Sequence, residues 1–267
     1  MPCFAVMAEN ALADDEELFD DWYDRYLASM PVEYRAAFDP EAIALHAAIV
    51  QRRGTDATHV EMWRSLPERV VAVCVVADDR PGLLSAISAS LVAHDLDVVT
   101  AHAYCRPSED GTREAVDILW LRRLHGGAPI RERDIEAIGA TVDALVTGDT
   151  RFPEPPSSRR TAFTTSRSRS FGATRVRFAN EVDGMKLTVE AVDRPGLLLA
   201  ITKTLFAAGV QIVALRATTD RGRAVDTFHL VELDGKPLVG ERVFALQIAV
   251  LSAIDATTNG VAETLSP

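Results

Sequence analysis

Two hexapeptides carry the residue types that could do chemistry in this chain: Asp79-Arg80-Pro81-Gly82-Leu83-Leu84 and Asp193-Arg194-Pro195-Gly196-Leu197-Leu198, offset by 114 residues. Each follows an apolar run and precedes apolar residues that recur every four positions, which reads as strand, tight turn, helix. Pro suits the first helical position, where its missing N–H is no loss. Gly beside it costs about 1 kcal/mol of helix stability relative to Ala, a cost met where backbone or ligand must come close. The N–H groups of Gly82, Leu83 and Leu84, and of Gly196, Leu197 and Leu198, suit a carboxylate at a helix start. The side chains of Asp79 and Asp193 suit an ammonium group. Together they match the two charged ends of a free amino acid. A simpler reading stays open, in which each Asp caps its helix and each Gly permits close packing.

The elements that must position these turns also repeat. Apolar runs Val70 to Ala77 and Leu187 to Val192 lead into the turns. The helices break at His94-Asp95 and at Gly209. Strand pairs follow, Leu96 to Cys105 with Glu114 to Arg122 and Val210 to Thr219 with Ala224 to Leu233. Ala115-Val116-Asp117 matches Ala224-Val225-Asp226. A second helix closes each unit, near 131–147 and 239–255. Before each unit a hairpin begins, with strands Thr58 to Arg64 and Thr174 to Phe178. Strand, helix, strand, strand, helix, with one further strand, is the split βαβ ferredoxin-like layout. The fold class is therefore α+β: two βαββαβ units, each with its helices on one face of an antiparallel sheet. Thr174 to Phe178 could supply the further strand of the first unit, and Val261 to Leu265 that of the second. The domains predicted are an N-terminal helical segment over 1–56, a first unit over 57–148, a Pro/Ser/Arg-rich linker over 149–172 and a second unit over 173–267.

In the N-terminal segment, Glu9, Asp14, Asp15, Glu16, Glu17, Asp20, Asp21 and Asp24 interleave with apolar residues, which predicts an amphipathic helix over 13–29 ended by Pro31. Asp39-Pro40-Glu41 starts a second helix that ends near Gly54. His46 on that helix reads as a packed histidine. The net charge of −11 argues against general nucleic-acid binding. Arg159, Arg160, Arg167 and Arg169 form the one strongly basic stretch, with few aromatics to stack bases. Cys3, Cys74 and Cys105 have neither disulfide-framework nor metal-ligand spacing, so no metal or other cofactor is expected and a reducing cytoplasm is. No secretory leader or membrane span is read.

The doubled turns, the βαββα order and the Ala-Val-Asp strands resemble tandem ACT domains. More narrowly, residues 35 to 240 resemble the C-terminal ACT pair of the bifunctional uridylyltransferase/uridylyl-removing enzyme family, which modifies the PII nitrogen-signalling protein. The resemblance implies a non-catalytic regulatory protein that binds a small amino acid, glutamine first. It leaves room for a protein partner of nitrogen signalling and for a homodimer. The alternative is a structural or oligomerisation module without a ligand. The resemblance places ligands between the turn of one unit and the second strand of its neighbour, which adds Asp97 and Val98, and Gln211 and Ile212, to the turn residues. Where many ACT domains carry Gly-x-Asn, this chain has Asp97 in the first copy and Gln211 after Gly209 in the second. Gln keeps amide chemistry and Asp would repel a carboxylate, so the second turn is expected to be the better ligand site. The catalytic signatures of that family are absent: no Gly-Ser with paired Asp, no His-Asp metal motif, no Gly-x-Ser-x-Gly.

Overall fold

The computed structural model describes residues 21–108, 111–148, 173–182 and 184–262. The acidic run from Glu9 to Asp20, the Arg-rich stretch, and the turn residues Asp110 and Asp183 lie outside them. Residues 21–29 are helical (α1), followed by α2 Val32–Ala37 and α3 Pro40–Arg53. Asp39 caps α3 by accepting from the Ala42 N–H at 2.8 Å, and Gly54 ends it. The first unit is β1 Thr58–Ser65, β2 Val71–Asp78, α4 Leu83–Ala93, β3 Leu96–Pro107, β4 Arg113–Arg123 and α5 Glu132–Thr147. The second repeats it: β5 Arg175–Glu181, β6 Gly184–Val192, α6 Leu197–Ala207, β7 Val210–Asp220, β8 Arg223–Glu232 and α7 Glu241–Ala262.

All eight strands form one antiparallel sheet in the order β1-β2-β4-β3-β7-β8-β6-β5. The α+β, ferredoxin-like character is clear, but the fourth strand of each unit comes from the hairpin that precedes it. Thr174 to Phe178 does not return to the first unit: β5 pairs with β6, as β1 pairs with β2. The place proposed for Val261 to Leu265 is thereby filled, and α7 runs on to Ala262. A two-stranded hairpin closes locally, at far smaller loop-closure cost than a strand returning from the end of the unit.

Strand alternation sets the layers. Val71, Val73, Val75 and Ala77 of β2 face α4 and α5, together with Leu83, Ile87, Leu91, Ile135, Ile138 and Val142. Met185, Leu187, Val189 and Ala191 of β6 do the same beneath α6 and α7. The opposite faces differ. Cys74, Val76, Val116 and Ile118 are covered by Tyr26, Tyr34, Ile43 and Ile49 of α1–α3 and by Met30 between α1 and α2. In β6 the corresponding outward positions are Lys186, Thr188 and Glu190, none of them buried. His46 is the packed histidine expected: it is fully buried and hydrogen-bonded through Nδ1 to the Tyr34 hydroxyl at 3.0 Å. Burial lowers its pKa to about 3.

The two units meet where β3 and β7 pair over Thr100–Ala103 and Leu215–Thr218. Above this seam Ala86 and Ala89 of α4 pack with Leu199 of α6. Small side chains there let the two helices that follow the repeated turns lie side by side.

Candidate functional site

The turns do not form quite as the sequence suggests. Both helices begin one residue after the glycine, at Leu83 and Leu197, so Pro81 and Pro195 lie in the turn and not at the first helical position. Gly82 and Gly196 adopt left-handed conformations, φ 86° and 78°, which favour glycine over any residue with a Cβ. At Gly82 a Cβ would also stand 2.8 Å from the Phe206 ring. Neither helix has a side-chain cap, so the capping role considered for the aspartates does not hold. The expected set of free N–H groups is also reduced, because Leu83 and Leu197 donate to the carbonyls of Arg80 and Arg194, each at 3.2 Å.

Two hollows lie along the seam. The first is lined by Asp79, Gly82, Leu83 and Leu84 of the first turn and by Gln211 and Ile212 of β7. The second is lined by Asp193, Gly196, Leu197 and Leu198 of the second turn and by Asp97 and Val98 of β3. All twelve residues singled out from the sequence are thus brought together, in two sets of six. Each hollow takes its turn from one unit and its strand from the other. Gln211 therefore belongs with the first turn and Asp97 with the second, the reverse of the pairing behind the preference for the second turn. The antiparallel β3–β7 ladder causes this, by laying the start of each strand against the opposite unit's turn.

In the first hollow Gln211 Nε2 donates to Asp79 Oδ1 at 2.9 Å, and Arg113 Nε donates to Asp79 Oδ2 at 2.9 Å. Three buried polar atoms among its lining residues have no hydrogen-bond partner: Gln211 Oε1, Asp117 Oδ2 and Ser85 Oγ. Asp117 stands between Ala115 and Leu119 on the helix-covered face of β4. Burial, with the charge of Asp79 beside it, raises its pKa well above the carboxylate range. Phe206, on α6, lines the hollow against Gly82.

In the second hollow Arg122 donates from Nε and from a terminal nitrogen to Asp97 Oδ2, at 3.0 and 2.7 Å, and lies 3.6 Å from Asp193. Asp226 occupies the place of Asp117, and burial followed by the charge of Asp193 raises its pKa to about 7. Burial and Asp97 raise that of Asp193. Ser88 Oγ is buried without a partner. Sequence reasoning missed Asp117, Asp226, Ser85 and Ser88 as site residues. The signal for the first two was present, since the Ala-Val-Asp triplets put a carboxyl at the same place in two otherwise apolar strand faces.

Both hollows are narrow, about 20 and 40 Å³, on a scale where one water needs roughly 10–15 Å³. Among the described residues no group of three or more His, Cys, Asp or Glu is placed to hold a metal ion, and no helix is long and apolar enough to cross a membrane.

The chain is similar to bifunctional uridylyltransferase/uridylyl-removing enzymes. That of Phenylobacterium zucineum is 30% identical over 264 residues, 97% of this chain and 27% of its own length. That of Rhodospirillum rubrum is 31% identical over 241 residues, 88% of this chain and 25% of its own. That of Azospirillum brasilense is 26% identical over 249 residues, 89% of this chain and 26% of its own. The chain thus spans about a quarter of the length of these uridylyltransferase/uridylyl-removing enzymes. No family model matches it. Among solved structures, aspartate kinase from Synechocystis aligns over 73% of this chain and 29% of its own, at 14% identity and a TM-score of 0.33.

Proposed function

We propose that this chain is a non-catalytic regulatory module that binds a free amino acid, glutamine first, in the first hollow. The observation that supports it is the trio of orphaned polar atoms there. A buried polar atom without a partner costs about 1–3 kcal/mol, and three around one hollow mark a place where a polar ligand would repay that cost. Gln211 Oε1 and Asp117 Oδ2 suit an ammonium group. Ser85 Oγ and the N–H groups at the start of α4 suit a carboxylate. The similarity to uridylyltransferase/uridylyl-removing enzymes supports a setting in nitrogen regulation, with a protein of that system as partner.

The hollow is too narrow for an amino acid as it stands, so binding requires opening, and Phe206, partly exposed over Gly82, is the side chain to swing. A ligand that draws Asp79 away from Gln211 and Arg113 also displaces its neighbour Asp78. Asp78 is ion-paired with Arg53 of α3, which gives the N-terminal helices a route by which to respond. Coupling of this kind is typically about 1–3 kcal/mol.

The test is calorimetric titration of the whole chain with L-glutamine and the other common amino acids, repeated on Gln211→Leu. The expected result is a saturable heat for one of them that the variant weakens about ten-fold or more. Unchanged affinity in the variant removes the first hollow as the site. Absence of heat with every amino acid favours the second reading, a structural module without a ligand, which the narrowness of the hollows also supports.

A further inference from the structure

The two hollows differ in charge. In the first, Asp79 has its own counter-ion, Arg113 at 2.9 Å, and its strand neighbour Gln211 is neutral. In the second, Asp97 stands where Gln211 does, and Asp97 and Asp193 share one guanidinium, that of Arg122. Arg80 and Arg194 also line the hollows, but each donates to a carbonyl of its own unit's second helix, Val146 and Ile254, so they do not create the difference. Counted with Asp226, the second hollow has three carboxyl groups, Asp97, Asp193 and Asp226, against two guanidiniums, Arg122 and Arg194, whereas the first has two, Asp79 and Asp117, against Arg113 and Arg80.

A separate observation points to a ligand there. Ser88 Oγ, on a residue 3% exposed, lines the second hollow from α4 and has no hydrogen-bond partner. A hydroxyl can accept from N–H⁺ as readily as it donates. A carboxylate brought into this space meets Asp97 and Asp193, whereas an ammonium group meets acceptor oxygens of Asp97, Asp193, Asp226 and Ser88 in the lining.

We propose that the second hollow binds a protonated amine that carries no carboxylate, held by Asp97, Asp193 and Asp226 with Ser88 Oγ as a further acceptor. The proposal rests on reading the hollows as ligand sites, and not on amino-acid binding in the first. Free ammonium ion fits a volume of about 40 Å³ as it stands, while an alkylamine requires the hollow to widen. Burial raises the pKa of Asp226 to about 7, so uptake of the cation near neutral pH should release protons and its heat should depend on the buffer.

The experiment is titration calorimetry of the whole chain with ammonium chloride and with 1,4-diaminobutane, with potassium chloride as the ionic control and L-glutamine as the zwitterion. It is run on the unaltered protein, Asp97→Asn and Gln211→Leu. The expected result is a saturable heat with ammonium or with the diamine but not with potassium. It should be weakened about ten-fold or more in Asp97→Asn and unchanged in Gln211→Leu. Heat with ammonium alone assigns the free ion, and heat with the diamine alone assigns an alkylamine. No saturable heat with either, an equal heat with potassium, or unaltered affinity in Asp97→Asn overturns the proposal. If thermal melting shows Asp97→Asn unfolded, Ser88→Ala takes its place under the same criterion. Loss of L-glutamine binding in Gln211→Leu concerns the first hollow alone, so either reading can fail while the other stands.

Discussion

Gly82 and Gly196 make the same turn under different constraints. A residue with a Cβ held in the left-handed region costs about 1–2 kcal/mol, and that cost applies to both. Only Gly82 also has an aromatic ring at 2.8 Å from the place a Cβ would take, whereas nothing lies within 4 Å at Gly196. Gly82→Ala should therefore destabilise more than Gly196→Ala, and Phe206→Ala should restore most of the difference. Urea denaturation of the two single variants and the double variant measures this. Asp226 offers a second check. Its pKa is raised from 3.8 in the unfolded chain to about 7, so the folded state holds its proton more tightly. The contribution to stability is full below pH 4, falls as pH rises, and is gone above 7. One unit is worth about 1.4 kcal/mol, so the fall amounts to a few kcal/mol at most. Asp226→Asn should flatten stability between pH 4 and 7, as denaturation curves across that window would show.

Between elements, the contact that ties the N-terminal helices to the first unit is ionic as well as apolar. Arg53, at the end of α3, holds Asp78 at the end of β2 and Glu114 at the start of β4, the latter at 2.7 Å. Glu114 also accepts from Arg106 at 2.8 Å, and Arg106 donates to Ser29 of α1. Removing one partner from a buried pair costs about 3–5 kcal/mol. Arg53→Met should fall at the low end, because Glu114 keeps Arg106. The effect should be local: amide exchange should quicken in α3 and hardly change in β6. The existence of α3 was legible in the sequence, because Asp39, Pro40 and Gly54 are local signals. The strand in the fourth place was not, because a hairpin strand and a returning strand share one alternation pattern, and only pairing distinguishes them.

At the scale of the molecule, the repeat announced two units but not how they join. Nothing local in Thr100–Ala103 or Leu215–Thr218 marks them as a seam, since their partners lie more than a hundred residues away. Hence all twelve turn and strand residues could be named while the pairing of strand residue with turn came out reversed. The difference between the sheet's outer faces was readable, had it been sought: Ala72, Cys74 and Val76 alternate where Lys186, Thr188 and Glu190 do in the other copy. Since each hollow borrows a wall from the opposite half, neither half holds a complete hollow. The covalent tether makes their encounter unimolecular, and under the proposed function severing it would make affinity for the small molecule fall on dilution of the protein itself.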